Sequence, residues 1–576
     1  MVDNSYYNEK YAGKALIVVP HEDDEINVAG NLIANLAAGG VEIYVLYSTN
    51  GDWKTPAEVR FSEAEKALKE LGVKEDHLIF LGYGDALNNR GRSSVFYHPE
   101  DSTCSLAGFK ETYGTEKHPD FAYESRQEHS PYTGNAFQKD LRDAIKMVMA
   151  DLIVCVDFDE HSDHRMLSLY FDRVMHEILK EFPGYKPQVM KRFGYSLAYT
   201  AKEDLIEYNT PSTLRPVKGE TYKYSFDLID KSFYDWEQRT RIPAEKSFSR
   251  RSYFNNRLVR AMKCHKSQLI LDKAAGIINS DEVFWERRTD NAAVSAVISA
   301  SSGNTSYISD GLLYNVKDID SKEPLVSDYL WQPDQEDSEK KIYFRWEEPQ
   351  RISLIQIYGN FYTNGRVEEI KIEFDDGTTV ITGPLPEYGR PLQVKISLAF
   401  PIRQCTVSIV KYSGTEYGIA EIELFEDVRQ RGFIKPFIKI TVDNQFVYDY
   451  LLQDKRDFQI GVYTYGIDTA EKQQIEFKVS SGASIKGNIL TIQEDVNRIR
   501  IRAVLNTGKR VLYDEIIMRK LSSKQEKALK KKMTQFKLYL RTVHLRRKAL
   551  VYKRYLEEHG IAYSLTKVKE KLLAAR

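Results

Sequence analysis

The sequence predicts an α/β, Rossmann-like domain at the N-terminus, followed by two all-β regions and a basic helical tail. Continuous apolar runs alternate with helical periodicity between residues 15 and 157, which is typical of a parallel sheet covered by helices on both faces. Short strand-like runs separated by turns dominate from about residue 290 to residue 520, as in antiparallel sandwiches. The last segment, 521–576, combines a helical apolar period with many lysines and arginines.

Four apolar runs at the N-terminus are predicted to form parallel strands, because each is nearly free of polar residues. They are ALIVVP (15–20), VEIYVLYS (41–48), HLIFLG (77–82) and DLIVCVDF (151–158). Helices are predicted at 27–38, 61–71, 137–149 and 166–179 from their 3.6-residue period and their glycine ends. Residues 83–136 break the alternation and are rich in Gly, Ser, His and Tyr. We expect them to form a long loop that shapes a substrate groove at the sheet edge.

The composition is that of a folded chain. At 576 residues the chain has room for about four domains. Its 42% hydrophobic, 12% aromatic and 29% charged residues argue against disorder. The 82 Lys+Arg and 83 Asp+Glu nearly cancel, so any attraction to a membrane or nucleic acid must be local.

The cysteines and the start of the chain predict a cytoplasmic protein. Cys104, Cys155, Cys264 and Cys405 have no CxxC spacing, which argues against a disulfide framework or a thiolate zinc site. The first residues, MVDNSYYNEKYAGK, lack the basic and then apolar order of a signal peptide. Apolar runs elsewhere are shorter than the roughly 18 residues that cross a bilayer.

The first motif whose side chains could take part in catalysis or metal binding is PHEDDE at 20–25. It places His21, Asp23 and Asp24 in a strand-to-helix loop, where parallel α/β sheets bind their ligands. The simpler interpretation is that the two aspartates cap the helix and complement its dipole. The motif alone does not separate these two interpretations.

The second motif, EHSDHR at 160–165, follows the fourth predicted strand and precedes a helix. It therefore reaches the same edge of the sheet as the first motif. Two imidazoles and a carboxylate from the two loops would make a three-ligand zinc site with an open position. A solvated loop that caps a helix is the alternative, and the shared edge weakens it.

Together the two motifs resemble those of the PIG-L/LmbE-like zinc-dependent N-deacetylases, whose signatures are A/P-H-P-D-D-E and H-x-D-H. VRFSEAEKALKELGV, with Arg60 and Glu63, is similar to the family's R-x-x-E helix, and CHKSQ at 264–268 and SDEVFWE extend the likeness. The resemblance covers roughly the first half of the chain. Glu22 departs from the family's usual proline, which affects loop rigidity more than chemistry.

The resemblance implies a role for each matching residue. His21, Asp24 and His164 would bind Zn²⁺, and Asp23 would be the general base on the attacking water. His161 would stabilise the oxyanion or protonate the amine. Two supporting roles complete the set: Asp163 would orient a histidine, and Arg60 would contact the substrate, unless Arg60 forms a surface ion pair with Glu63.

Residues 290–427 resemble a discoidin-type, galactose-binding-like jelly roll through an ordered set of short fragments. These include SDG (309–311), LWQP (330–333), SLIQIYGN (353–360) and GIAEIEL (418–424). The resemblance implies either a glycan-binding module or a structural support for the catalytic domain. Trp331 is the candidate glycan contact, and core packing is the alternative that is favoured, because large aromatic side chains are usually buried.

Four domains are predicted. The deacetylase domain spans 1–289 and the jelly roll spans 290–427. An immunoglobulin-like β domain spans 433–520, and the basic helical tail spans 521–576. The predicted function is zinc-dependent removal of an N-acetyl group from an N-acetylated amino sugar (a GlcNAc-type glycan, glycolipid or precursor) in cell-surface polysaccharide biosynthesis. The alternative is a catalytically idle glycan-binding or scaffold protein. The intact pair of motifs counts against that alternative.

The basic tail can be interpreted in two ways, as a membrane-docking segment or as a segment that packs on the rest of the chain. From Lys524 onward the sequence contains sixteen Lys and Arg and four Glu, which gives a net charge of +12. A stripe of Met533, Phe536, Leu540 and Val543 could dock this segment on an anionic membrane at the inner face. Packing of a helical pair on the β modules is the alternative. Nucleic acid is not expected as a partner.

Overall fold

The computed structural model describes residues 13–85, 99–100, 102–159, 161–194, 209–215, 236–249, 253–313, 329–361, 364–427, 429, 432–467, 475–508 and 510–559. Residues 86–98 and 101 of the predicted loop lie outside this description. So do Glu160 of the second motif and residues 560–576 of the predicted tail.

Seven strands of the N-terminal half form one sheet. They are β1 (Lys14–Val19), β2 (Glu42–Thr49), β3 (Leu78–Tyr83), β4 (Leu152–Asp157), β5 (Gln188–Phe193), β6 (Thr240–Pro243) and β7 (Asp281–Arg287). Their order is β3-β2-β1-β4-β5-β7-β6. Strands β1 to β5 are parallel, whereas β7 runs antiparallel to both of its neighbours. The predicted α/β domain is confirmed, and the four apolar runs are its first four strands.

The helices of this region are α1 (Asp24–Ala38), α2 (Ala57–Leu71), α3 (Phe121–Arg126), α4 (Gly134–Val148), α5 (Ser162–Glu181), α6 (Arg257–Cys264) and α7 (Ala274–Ile277). All four predicted helices begin three or four residues earlier than predicted. Helix α1 begins at Asp24 and α5 at Ser162, because acidic and small polar residues are tolerated in a first turn, where they complement the helix dipole. The chemical motifs therefore occupy helix N-termini as well as loops.

The strand order brings the two motifs together. Strand β1 pairs in parallel with β4, with Leu16 opposite Ile153. The chain turns to β2 on one side of β1 and to β4 on the other, which makes the carboxyl ends of this pair the topological switch point of the sheet. The loops after β1 and β4 thus flank one crevice.

The region from 290 to 427 contains two antiparallel sheets around a shared apolar core. Their strands are β8 (Val297–Ala300), β9 (Lys341–Gln350), β10 (Leu354–Gly359), β11 (Gly365–Phe374), β12 (Thr379–Ile381), β13 (Pro391–Lys395), β14 (Ile402–Gly414) and β15 (Ile419–Phe425). Trp331 is fully buried in this core and donates from Nε1 to the Ser302 carbonyl at 2.9 Å. The core-packing interpretation of Trp331 is therefore confirmed and the glycan-contact interpretation is wrong: its large apolar ring fills the core and its one polar atom is satisfied there.

The region from 433 to 520 has its own core between two further sheets. Its strands are β16 (Phe437–Val442), β17 (Gln445–Phe446), β18 (Asp449–Leu451), β19 (Asp457–Tyr465), β20 (Ile475–Val479), β21 (Ala483–Lys486), β22 (Ile489–Ile492), β23 (Arg498–Asn506) and β24 (Val511–Arg519). Most pairs are antiparallel, but β18 runs parallel to β24. Gln188 of the N-terminal sheet accepts from the Ile434 amide at 2.9 Å, which ties the two regions together.

A single helix, α8 (Ser523–His559), follows the last sheet. Met533, Phe536 and Val543 are buried, and Phe536 stacks on Tyr253 with ring centroids 4.5 Å apart. The stripe that could have faced a membrane thus packs within the molecule, because apolar stripes of this width usually cover a core. The alternative of intramolecular packing is therefore observed, but the contact is with the N-terminal domain and not with the β modules. One helix covers the described part of the tail, and a second helix of the predicted pair would fall in residues outside the description. No described helix is long and apolar enough to cross a bilayer.

Candidate active site

The loop after β1 makes a tight turn at the sheet edge. The amides of Asp23 and Asp24 both donate to the His21 carbonyl, at 3.0 and 3.1 Å. This turn sends the side chains of His21 and Asp24 into the crevice, where they are 7% and 4% exposed. Buried polar groups need partners, and these two find theirs across the crevice.

The loop after β4 supplies the opposite wall. His161 precedes the first residue of α5, and His164 lies in its first turn with 1% exposure. Asp163, also in that turn, lies with Oδ2 3.1 Å from His21 Nε2. The two motifs, 140 residues apart in sequence, therefore share one polar cluster.

The donor atoms of this cluster fit a metal ion. Asp24 Oδ2 lies 2.9 Å from His21 Nδ1 and 3.1 Å from His164 Nε2. Ligands of one tetrahedral zinc at 2.0–2.1 Å lie about 3.3 Å apart, so the separation of Asp24 from each histidine is compatible with a shared ion. Two groups of possible ligand atoms in this cluster lie within 4.8 Å of one another: His21 with His161 and His164, and His21 with Asp85, His161 and Asp163. Asp24 is in neither group, whereas His161 is in both. Imidazole and carboxylate donors are those that zinc takes in catalytic sites.

The electrostatics of the cluster separate the two histidines of the second motif. Burial alone would lower the pKa of His164, but the carboxylates of Asp159 and Asp24 outweigh it and raise that pKa to about 9. Burial, together with the neighbouring His21 and His164, holds the pKa of His161 well below its usual value. Carboxylates on both sides thus stabilise positive charge at His164, whereas His161 is kept neutral.

Asp159 supports His164 and was missed by the sequence reasoning. Its Oδ2 accepts from His164 Nδ1 at 2.8 Å and from the Gly194 amide at 2.9 Å. A carboxylate behind a ligating imidazole fixes the ring and its tautomer. The available signal was an aspartate at the end of an apolar strand, two residues before His161.

We expect Asp159→Asn to weaken zinc binding about 10- to 100-fold, because the amide can no longer hold His164 by a charge-assisted hydrogen bond. Competitive titration with a zinc-sensitive dye measures the effect. Asp143→Asn, a change at a partly exposed residue of α4, is the matched control. Equal affinity in Asp159→Asn and the parent would remove Asp159 from this role.

Asp23 contacts Arg60, which lies on α2. Arg60 donates to Asp23 Oδ1 at 3.3 Å and to the Glu22 carbonyl at 2.9 Å. Arg60 is only 5% exposed, and its buried charge keeps its ion partners in the same loop. The Arg60–Glu63 surface pair considered above is therefore wrong, since Glu63 instead accepts from the amide and hydroxyl of Ser267.

Glu22, at the position of the family's usual proline, is fully buried. Its Oε2 lies 3.4 Å from Arg60 Nε. Burial raises the pKa of Glu22 to about 8 although Arg60 opposes the change. The arginine therefore holds the backbone of this loop and both acidic neighbours, and in this way it supplies rigidity that a proline would otherwise give.

Three further polar residues line the crevice beside His21. Asp85 Oδ1 lies 3.3 Å from His21 Nε2, and Asp52 accepts from the Asp85 amide at 2.9 Å. The Tyr113 hydroxyl donates to the other oxygen of Asp52. Asp52 and Asp85 follow β2 and β3, so their position after a predicted strand was the signal that could have found them. Exposed side chains of Trp53, Leu106 and Phe109 lie close to these residues in sequence.

The CHKSQ segment supports the first loop from behind. His265 Nε2 lies 2.7 Å from Glu25 Oε1, and both side chains are completely buried. With the Glu63–Ser267 contacts, this bond fastens residues 265–267 to both α1 and α2. The segment therefore has a positioning role in this structure, and it does not itself line the histidine cluster.

Two regions of the chain match models of protein families. Residues 16–175, which contain both motifs, match the model described as PIG-L: GlcNAc-PI de-N-acetylase. The N-terminal region is therefore similar to the PIG-L family. Residues 291–425 match a domain of unknown function, DUF7402, so the discoidin-type resemblance is not confirmed. Among curated proteins, no sequence matches the chain.

Solved structures similar to about half of the chain include several deacetylases. A deacetylase of the teicoplanin biosynthesis pathway is 14% identical over 48% of this chain and 100% of its own, with a TM-score of 0.29. The zinc-inhibited form of teicoplanin deacetylase is 15% identical with the same coverage and a TM-score of 0.29. The N,N'-diacetylchitobiose deacetylase from Pyrococcus horikoshii is 14% identical over 50% of this chain and 88% of its own, with a TM-score of 0.25.

Proposed function

We propose that the chain is a zinc-dependent hydrolase that removes the acetyl group from an N-acetylated amino sugar. The observation that carries this proposal is the contact of Asp24 Oδ2 with nitrogens of both His21 and His164 at the switch point of a PIG-L region. The substrate class is a GlcNAc-type glycan, glycolipid or precursor used in cell-surface polysaccharide biosynthesis.

In this proposal His21, Asp24 and His164 hold the zinc ion. When bound, zinc polarises an amide carbonyl and lowers the pKa of water toward ~7. Asp23 accepts the proton of the attacking water, and the contact with Arg60 keeps its carboxylate in place. His161, at 29% side-chain exposure the more open histidine of the second motif, would donate its ring N–H to the oxyanion, or would pass to the leaving amine the proton that Asp23 took from water. Asp163 orients His21.

The other predicted features complete the proposal. The deacetylase domain would span 1–289, with a discoidin-type jelly roll at 290–427 and an immunoglobulin-like domain at 433–520. Arg60 would contact the substrate while it also holds the first loop through the Glu22 carbonyl and Asp23, and Gly51 beside that loop. The four cysteines are unpaired, which supports a reducing, cytoplasmic location.

Zinc content and acetate release test the function together. We expect the full chain to bind about one zinc ion, because three protein ligands leave one position open for catalysis. It should release acetate from N-acetylglucosamine, its oligosaccharides or its glycolipids, and chelation should abolish this activity. A correctly folded chain that binds no zinc, or a zinc-loaded chain that releases acetate from none of these substrates, would contradict the proposal.

A further inference from the structure

Helix α8 uses one of its faces to hold the N-terminal domain. Met533, Phe536 and Val543 are 1–5% exposed. At the end of this face, Asp272 accepts from His544 at 2.8 Å and from Arg547 at 3.2 Å. These contacts fix the rotation of the helix about its axis, so the direction of its opposite face is also determined.

The opposite face carries a second apolar stripe that is exposed. Leu538, Leu545 and Tyr552 recur every seven residues and are 57%, 63% and 54% exposed, and Leu556 is 40% exposed. At 100° per residue this stripe lies about 180° from the buried one. Surface helices normally place polar residues there, so burial against the N-terminal domain does not explain these residues.

Basic residues border the exposed stripe on both sides. Helical geometry puts Arg541 and Lys548 along one edge and Arg546 and Lys553 along the other. A second copy of this helix would bring like charges together at the edges of the seam, which is unfavourable. The complementary partner is therefore anionic and presents an apolar layer next to its charges.

We propose that the face formed by Leu538, Leu545, Tyr552 and Leu556 docks on an anionic phospholipid surface. The side chains would enter the boundary between headgroups and acyl chains, while the flanking lysines and arginines meet lipid phosphates. Because the other face of α8 is fixed to the N-terminal domain, docking would hold that domain at the membrane. This inference does not depend on the deacetylase activity.

Vesicle sedimentation of the full chain tests the proposal. We expect it to pellet with vesicles of phosphatidylcholine and phosphatidylglycerol, and to stay in solution with phosphatidylcholine alone. The double variant Leu545→Ser with Tyr552→Ser should weaken partitioning about 100-fold, because each side chain loses its transfer into the apolar layer. Added salt should weaken binding of the parent, since it screens the flanking charges.

The control variant is Ile381→Ser. Ile381 lies on β12, outside α8, and is 65% exposed. This variant should pellet with anionic vesicles like the parent. Thermal unfolding establishes that all variants are folded. The proposal is overturned if the parent never pellets with anionic vesicles or if the double variant pellets equally well. It is also overturned if the same double variant instead abolishes a dimer seen by gel filtration, because the face would then join two copies of the chain.

Discussion

Asp23→Asn is expected to lower acetate release about 100-fold or more while zinc remains bound. The amide keeps the shape of the side chain and its contact with Arg60, 3.3 Å away, but it cannot accept a proton from water. Loss of a general base typically costs 10²- to 10⁴-fold. Rates at saturating substrate, measured beside zinc content by elemental analysis, give the two readouts.

The matched control is Asp76→Asn, a change at an exposed carboxylate before β3, which should leave rate and zinc unchanged. If Asp23→Asn is as active as the parent, Asp23 is not the base. If it loses zinc as well as activity, Asp23 serves the metal site, and the division of labour between the adjacent aspartates must be revised.

The second large effect separates the histidines of the H-x-D-H motif. His164→Ala should reduce zinc from about one ion per chain to nearly none, because this side chain contacts Asp24 at 3.1 Å and is anchored by Asp159 at 2.8 Å. His161→Ala should keep its zinc and lose turnover, because the proposed role of His161 is in the transition state and not in metal binding.

These two variants are informative because the geometry offers both histidines to a metal. Ring nitrogens of His161 and His164 lie within 4.8 Å of each other and of His21. Zinc loss in His161→Ala with zinc retained in His164→Ala would exchange their roles. Both variants should unfold thermally at similar temperatures to the parent, which separates a lost ligand from a lost fold.

Much of the N-terminal domain could be predicted from the sequence because its signals are local. A strand buried on both faces must be nearly all apolar, and a helix beside it must show a 3.6-residue period. The ends of β1 and β4 followed from these patterns. Their polar residues could then be assigned to one edge, since parallel strands place all their carboxyl ends together.

Less of the structure of the two β regions could be predicted from the sequence. Short strands with alternating polarity predict sheets, but they do not specify the pairing, and the parallel contact of β18 with β24 is not visible in the pattern. Trp331 shows the same limit, because one aromatic in a turn-rich segment fits both a binding loop and a core. Its burial depends on sheets that pair across many residues.

Local patterns in the sequence were thus enough to predict the α/β domain, the edge of the sheet that holds the polar cluster, and the candidate residues His21, Asp23, Asp24, His161 and His164. The groups that support these residues could be identified only from the packed structure. Asp159, Asp52 and Asp85 reach the cluster, Arg60 fixes the first loop, and α8 is divided between a packed face and an exposed one. The physical reason is that periodicity reports which face of an element is apolar, whereas distances between side chains on different elements depend on how the packed elements are arranged.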